Sequence, residues 1–121
     1  MANVQQTLQT AMQIEGAIGV ALVDYKSGMC LGKEGGGGLN LDVAAAGNTE
    51  VVRAKMKTMG NLKLKDTIED ILLTLSSQYH IIRPLSTAGS TLFIYLALNK
   101  SVANLAMARY KLEQLENDLT V

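Results

Sequence analysis

The fold is decided by residues 17–33, which read AIGVALVDYKSGMCLGK. Residues 17–25 form a dense apolar run that is too short for a typical helix and contains enough β-branched side chains to predict a buried strand. Turn-forming residues follow, with Gly28 available for a positive φ. Residues 29–33 then predict a second strand, so the whole stretch is interpreted as a β-hairpin.

A helix is predicted on each side of this hairpin. Apolar residues recur at helical spacing within residues 4–12. They predict an amphipathic helix that ends at Gly16, where the missing Cβ suits a helix stop. Beyond the hairpin, Asn40 or Asp42 can cap a second, longer helix. That helix is expected to stop at Gly60.

Four consecutive glycines, residues 35–38, connect the hairpin to the second helix. A phosphate-binding loop would continue into Gly-Lys-Ser/Thr or open a helix with Gly-x-Gly-x-x-Gly, and neither pattern follows the run. The run is therefore interpreted as a flexible connector, and nucleotide binding is not expected.

The second half of the chain predicts three further strands and a last helix. The strands are expected at residues 67–75, 79–85 and 91–98. Pro84 lacks a backbone N–H, so it should lie at a strand end or at a bulge. Apolar residues at spacings of three and four then predict a terminal helix that is capped by Ser101.

The order of these elements is α-β-β-α-β-β-β-α. It predicts an α+β fold in which helices flank a five-stranded antiparallel sheet. Turns at residues 76–78 and 86–90 separate the last three strands. With 121 residues, the sequence is expected to form one domain that spans residues 1–121.

The charge balance argues against several classes of partner. Lys+Arg and Asp+Glu number 11 each, so the formal net charge is zero and general nucleic-acid binding is not expected. The first ten residues lack the charged start and apolar run of a signal peptide. No stretch approaches the ~20 apolar residues of a membrane-spanning helix. The sequence therefore predicts no membrane insertion and a cytoplasmic location.

The inventory of chemically reactive side chains is small. His80 is the single histidine, and it lies in an alternating strand where packing is the usual role. Cys30 is the single cysteine and is interpreted as a small buried hydrophobe. No metal-ligand set is predicted, and no Gly-x-Ser-x-Gly motif surrounds Ser76 or Ser77. The expectation is a non-enzymatic binding or scaffold protein with no catalytic residue, cofactor or metal.

A basic run lies in the second half of the second predicted helix. Arg53, Lys55 and Lys57 are followed by Lys63 and Lys65, with no acidic residue in between. The usual explanation is a solvated helix face. The alternative is a surface that contacts an acidic partner, and Arg53, Lys55 and Lys57 are then the candidate partner-contact residues.

Six segments of the chain together resemble a known family. They are GAIGVALVD (16–24), SGMCLG (27–32), IEDILLTL (68–75), QYHIIRPL (78–85), FIYLAL (93–98) and NLA (104–106). In this order they are similar to the opening hairpin, the later strands and the start of the final helix of Roadblock (dynein light chain) domains. The resemblance covers nearly the whole chain. One departure is the glycine run at residues 35–38, which is longer in glycine than the family's usual connector.

The resemblance implies a homodimer. In such a dimer the third strands pair across a twofold axis into one continuous sheet, and the second helices lie side by side as a platform. Ile71 and Leu73 in the paired strand, and Ala44 and Gly47 on the helix, are then the expected dimer-interface residues. An unpaired third strand would be an aggregation hazard that pairing removes, and zero net charge also favours self-association.

The resemblance also implies a partner. Related domains serve as dynein light chains, as Ragulator-like scaffolds and, in bacteria, as partners or activators of Ras-like small GTPases. The expected function is that of a homodimeric scaffold or regulator that binds a Ras-like GTPase, with no catalytic residue carried over from the family. Two alternatives stay open: a small-molecule sensor, which needs a cavity with convergent polar groups, and a purely structural dimerisation subunit of a larger assembly.

Overall fold

Strands and helices follow one another in the predicted order in the computed structural model, which describes residues 1–87 and 89–121. Within these residues the elements are α1 (Val4–Ala11), β1 (Ala17–Asp24), β2 (Met29–Gly35), α2 (Leu41–Asn61), β3 (Ile71–Thr74), β4 (Gln78–Pro84), β5 (Leu92–Asn99) and α3 (Leu105–Asp118). The predicted α+β class is therefore confirmed. The predicted turn at residues 86–90 includes Ala88, which lies outside the described residues.

The strands form one sheet in the order β2-β1-β5-β4-β3. All of its pairings are antiparallel: β1 pairs with β2 in the predicted hairpin and with β5 on its other side, and β4 joins β5 to β3. β2 and β3 are consequently the two edges of the sheet. The third strand is thus an edge strand, as the resemblance to Roadblock domains implies.

The helices cover the two faces of this sheet. α1 and α3 pack on one face, where Leu8 and Leu112 lie in the same cluster as Leu96. α2 packs on the other face, where Val52 lies in a cluster with Phe93. β5 is buried on both sides because it lies in the middle of the sheet between these helical layers. Among the helices of the described chain, none is both long enough and apolar enough to cross a membrane.

α1 ends at Ala11, earlier than the predicted stop at Gly16. Asn3 caps the helix in a capping box with Gln6. Gly16 instead lies in the turn before β1 with a φ of 88°, and a Cβ there would lie 3.1 Å from the backbone nitrogen of Ala103. Gly16 is therefore required by the turn and by a close backbone approach, and not by the helix end.

α2 begins after the predicted cap, Asn40, but runs past the predicted stop at Gly60. Its end is a Schellman motif, in which the N–H of Lys63 donates to Gly60 O and the N–H of Leu64 donates to Met59 O, both at 3.0 Å. Lys63 is the left-handed residue of this motif, with a φ of 57°. The predicted stop is wrong because the left-handed position falls on Lys63.

β3 is shorter than predicted, since it begins only at Ile71. Ile71 pairs with Ile82, so the residues before it lie opposite the end of β4, where Pro84 has no N–H to donate. The ladder stops there, and Asp70 instead accepts two hydrogen bonds from Arg109 on α3, at 2.8 and 3.1 Å. Pro84 is the last residue of β4, which confirms the prediction that it lies at a strand end.

α3 starts later than predicted. Asn104 caps it, and the Asn104 side chain accepts a hydrogen bond from the N–H of Met107 at 3.0 Å. Ser101, the predicted cap, lies in the preceding turn, where its N–H and its hydroxyl both donate to Asn99 Oδ1. Ser101 cannot cap α3 because its hydroxyl is already bound to Asn99, the last residue of β5.

The start of the glycine run packs closely against the start of β1, so the run is not simply a flexible connector. β2 extends through Gly35, and the buried Gly36 donates its N–H to Ile18 O at 2.8 Å. A Cβ on Gly19 would lie 2.8 Å from the backbone of Gly36. Both glycines are therefore needed where the chain crosses the start of β1, since a side chain at this crossing would collide with backbone.

Candidate protein-interaction site

The two edge strands differ in how they are protected against further pairing. β2 contains Lys33, Glu34 and glycines, and its register against β1 shifts between Leu22 and Val23. Charged residues and bulges of this kind discourage the addition of another strand. β3 reads ILLT and has no charge, no glycine and no register shift against β4. β3 is therefore the edge that is open to a further strand.

Beside this edge, part of the sheet face is left uncovered. α2 packs over β1 and β2, whereas Ile71 and Leu73 of β3, which belong to the same face, are only half-buried. His80 lies next to them because it pairs with Leu73, and Gln78 follows on the same side of β4. We call these four residues the β3 shelf. The structure thus brings together the two strand residues predicted for the dimer interface.

The polar side chains of the β3 shelf are hydrogen-bonded. His80 Nε2 lies 2.8 Å from Gln78 Oε1, and His80 Nδ1 lies 3.1 Å from the hydroxyl of Tyr95. The rings of His80 and Tyr95 meet edge to face, with centroids 5.3 Å apart. Burial lowers the pKa of His80. From these partners we assign a neutral imidazole ring that donates to Gln78 and accepts from Tyr95. His80 therefore connects the β3 shelf to the buried Tyr95 by a hydrogen bond.

The two α2 residues predicted for the dimer interface are one turn apart on the helix but differ in exposure. Ala44 is half-buried and packs against the sheet. Gly47 is exposed, and a Cβ on it would meet nothing within 4 Å. It shares an exposed stripe with Val43 and Ala54, whose spacings of four and seven residues place them on one side of the helix. Gly47 is therefore fully accessible to another helix and Ala44 only in part, and the dimer interface itself stays a prediction.

The three basic residues predicted to contact a partner do not form one patch. Arg53 is held by the hairpin, since its Nε donates to Tyr25 O at 2.7 Å and its Nη2 to Lys26 O at 2.5 Å. Lys57 lies about one turn further along the same side of α2. Lys55 is two residues from each of them and points to the other side. All three side chains are exposed, but Lys55 and Lys57 are not held by the hairpin as Arg53 is, and contact of these residues with a partner stays a prediction.

One cleft bears on the small-molecule alternative. A cavity of about 540 Å³ lies between the end of α2, the segment before β3 and the end of β4. Apolar side chains that include Met56, Met59 and Leu64 line much of it. Among the described residues that line it, no polar side chain is both buried and without a hydrogen-bond partner. The described lining of the cleft therefore lacks the buried, unpaired polar groups that would orient a small-molecule ligand.

A buried ionic cluster that local sequence patterns do not reveal fixes α3 on the sheet. The side chain of Glu116 is 3% exposed. It accepts hydrogen bonds from Arg83 Nε at 2.7 Å, from Ser86 Oγ at 2.6 Å and from the N–H of Ser86. Burial alone would raise the pKa of Glu116, but the bonds from Ser86 and Arg83 outweigh it and lower that pKa. These partners are 33 and 30 residues away along the chain, so no sequence spacing indicates the cluster.

The other reactive groups form no evident site. Cys30 is half-buried on β2, and burial raises the pKa of its thiol. Among the residues that the structure describes, no group of three or more His, Cys, Asp or Glu side chains could hold a metal ion. The candidate site for contact with another protein consists of the β3 edge, the β3 shelf and the exposed side of α2.

Comparison with known proteins agrees with this architecture. No protein-family model and no curated protein matches the sequence. Among solved structures, a Roadblock/LC7 domain from Streptomyces avermitilis is similar with a TM-score of 0.80 and 14% identity, over 97% of this chain and 94% of that one. MglB from Myxococcus xanthus has a TM-score of 0.76 and 14% identity, over 92% and 86% of the two chains. The gliding protein MglB from Thermus thermophilus has a TM-score of 0.76 and 15% identity, over 93% and 82%. The chain has the Roadblock/LC7 fold, which confirms the expected resemblance at the level of fold.

Proposed function

We propose that this protein is a non-enzymatic homodimeric adaptor that binds and regulates a Ras-like small GTPase. The observation that carries the proposal is the β3 shelf beside an unprotected strand edge, because a second copy of the chain would cover the shelf and pair the edge. The fold shared with Roadblock/LC7 domains and with MglB supports it. The sequence resemblance to Roadblock domains, whose bacterial members are partners of Ras-like GTPases, supports the class of partner.

In the proposed dimer, β3 of each copy pairs antiparallel with β3 of the other across a twofold axis. A twofold contact uses the same surface of both copies, so a short strand without charges can pair with itself. Ile71 and Leu73, which are half-buried in one chain, lose their remaining exposure when α2 of the second copy lies over the shelf. The exposed Gly47 lets the two α2 helices approach each other closely.

The paired α2 helices then form the surface for the GTPase. Lys55 and Lys57 are exposed, and within the described part of the chain neither belongs to an ion pair. Their charge would attract an acidic face of the partner and speed association. In this proposal the adaptor contributes no catalytic residue, and regulation comes from positioning the switch segments of the GTPase itself.

The test is the rate of association with a Ras-like GTPase, measured by surface plasmon resonance with the GTPase loaded with GDP or with a non-hydrolysable GTP analogue. Lys57→Glu should slow association several-fold at low salt, and added salt should reduce the difference, because exposed charges act mainly on the association rate and are screened. Arg53 is left unchanged, since its guanidinium holds the hairpin carbonyls.

Lys111→Glu is the matched control, because Lys111 is exposed on α3, which lies on the opposite face of the sheet. It makes the same change in net charge and should leave the association rate nearly unchanged. Failure of the wild-type protein to bind either form of the GTPase would contradict the proposed function. Equal slowing by the two variants would mean that Lys57 does not lie at the contact.

A further inference from the structure

The segment that follows α2 exposes apolar and basic side chains in alternation. Leu62 is 62% exposed and Leu64 is 52% exposed, and the lysines between and after them, Lys63 and Lys65, are exposed as well. We call these four residues the Leu-Lys loop. Exposed single leucines are ordinary on protein surfaces, but two exposed leucines alternating with two exposed lysines at the end of a helix form an amphiphilic segment.

The Schellman motif explains the loop only in part. A Schellman motif commonly packs its last residue against the helix, and Leu64 does line a cavity together with Met59. Leu62 is the C-cap residue, whose N–H donates to Thr58 O at 2.9 Å, and its side chain is the more exposed of the two leucines. Lys63 occupies a left-handed position that glycine adopts with less strain. The helix end therefore does not by itself account for a large apolar residue at 62 or a lysine at 63.

The charge around the loop is locally positive in a chain that is neutral overall. No acidic residue occurs between Glu50 and Asp66. Across the part of the chain that the structure describes, the four lysines of this region take part in no ion pair; they are Lys55, Lys57, Lys63 and Lys65. Asp66 and Glu69 lie beyond the loop and offset only part of this charge. The region therefore presents unneutralised ammonium groups around two exposed leucines.

The residue types favour a lipid surface over a protein as the occupant. The centres of protein–protein interfaces are enriched in Arg, Tyr and Trp and depleted in Lys, and Leu is under-represented among their energetically dominant residues. At a lipid surface, lysine can extend its long apolar stem along the headgroups while its ammonium group meets phosphates. Leucine contributes apolar surface at the boundary between headgroups and acyl chains without needing a shaped pocket.

We propose that the Leu-Lys loop attaches this protein reversibly to anionic membrane surfaces. Leu62 and Leu64 enter the boundary between the headgroups and the acyl chains, and Lys63 and Lys65 contact lipid phosphates, with Lys57 adding to the attraction at longer range. The attachment is superficial and involves no membrane-spanning segment. It does not require the proposed GTPase, and a dimer would present two such loops and bind more strongly through avidity.

The test is flotation of the purified protein with lipid vesicles. Vesicles of equal parts phosphatidylcholine and phosphatidylglycerol should carry the wild-type protein at low salt. Vesicles of phosphatidylcholine alone should carry much less, and raised salt should release the protein. The variant Leu62→Ser/Lys65→Gln should lower the fraction bound to anionic vesicles several-fold, because it removes one apolar contact and one charge from exposed positions.

The matched control is Val102→Ser/Lys111→Gln, which makes the same kind of change at exposed positions outside the loop and should bind like the wild type. Circular dichroism checks that both variants stay folded. Absence of binding by the wild-type protein to anionic vesicles, or equal binding by the loop variant, would overturn the proposal. A third outcome would also overturn it: the wild-type protein does not bind vesicles, and the loop variant loses GTPase binding. That outcome would assign the loop to a protein contact.

Discussion

The carboxylate of Glu116 is the most constrained charged group among the described residues. It receives three hydrogen bonds from Arg83 and Ser86 while its side chain is almost fully removed from solvent. Hydrogen bonds to an ionised group are stronger than those between neutral groups. Removing one partner of a buried ion pair is strongly destabilising, because the remaining charge stays buried without a counter-ion. Glu116 therefore adds a specific ionic contact between α3 and the end of β4 to the apolar packing of Leu112.

We expect Glu116→Gln to lower the free energy of unfolding by roughly 1.5–3 kcal/mol, the range typical of hydrogen bonds to a charged group. The amide keeps the size of the side chain but loses the charge, and it leaves Arg83 without its counter-ion. Urea unfolding followed by circular dichroism measures the change. Glu113→Gln, on an exposed position of the same helix, is the control and should be nearly neutral. Equal unfolding midpoints for the two variants would contradict the assignment.

The contribution of Glu116 should also depend on pH in one direction. Its pKa in the folded protein lies below the ordinary value of 4.5, so folding favours the ionised form. The resulting stabilisation is complete above the unfolded-state pKa and is lost as the pH falls through the folded-state pKa. The difference in unfolding free energy between the wild type and Glu116→Gln should therefore be constant near neutral pH and shrink below about pH 4.5. A difference that is unchanged in acid would show that the charge is not responsible.

At the scale of the elements, the end of α2 has a lysine in a left-handed backbone conformation that glycine would adopt with less strain. The helix passes through Gly60 and closes two hydrogen bonds around Lys63, which takes the left-handed conformation. A side chain in that conformation brings Cβ close to the following carbonyl, and glycine avoids this contact. The sequence therefore contains a glycine near the helix end, but not at the position where the backbone would use it.

We expect Lys63→Gly to stabilise the protein by about 1 kcal/mol, because it relieves the left-handed strain at this helix end. Thermal unfolding followed by circular dichroism measures the shift. The control is Lys65→Gly, which has no positive φ to relieve and should be neutral or destabilising because glycine makes the unfolded chain more flexible. A lower melting temperature for Lys63→Gly than for the wild type would contradict the role given to this position.

At the scale of the whole molecule, the unequal edges of the sheet decide how copies of the chain can meet. β2 carries charges, glycines and a register shift, whereas β3 carries none of them. The uncovered part of the sheet face also lies beside β3 and not beside β2, because α2 packs over β1 and β2. Self-association through β3 would thus remove an open edge and an apolar surface in a single contact.

We expect Leu73→Asp to convert a dimer into a folded monomer, because a charge on the β3 shelf would be buried without a partner in the dimer. Sedimentation velocity over a range of concentrations measures the change. Leu31→Asp, which places the same charge on the exposed side of the other edge strand, is the control and should stay dimeric. If Leu73→Asp fails to fold, Thr74→Lys puts a charge on the exposed end of β3 without entering the core. A folded β3 variant that remains dimeric would contradict pairing through this edge.

The candidate surface was predictable from the sequence only in outline. Ile71 and Leu73 stand out as apolar residues in the strand predicted at residues 67–75, and the structure places both on the β3 shelf. Arg53 and Lys57 stand out as basic residues of one helix, but local spacing does not show that Arg53 is bound to the carbonyls of Tyr25 and Lys26. A hydrogen bond to a backbone oxygen carries no sequence signature, because every residue has that oxygen.

The sequence by itself determined the types and order of the elements and the strands that are buried. These properties follow from hydrophobic periodicity and turn residues, which act over a few neighbouring positions. The tertiary structure alone decided that β3 stops where Pro84 faces it, that Gly36 must cross Gly19 closely, and that α2 covers only part of its face of the sheet. Each of these depends on contacts between residues far apart in the chain, and such contacts are set by register and packing, which only the folded molecule defines.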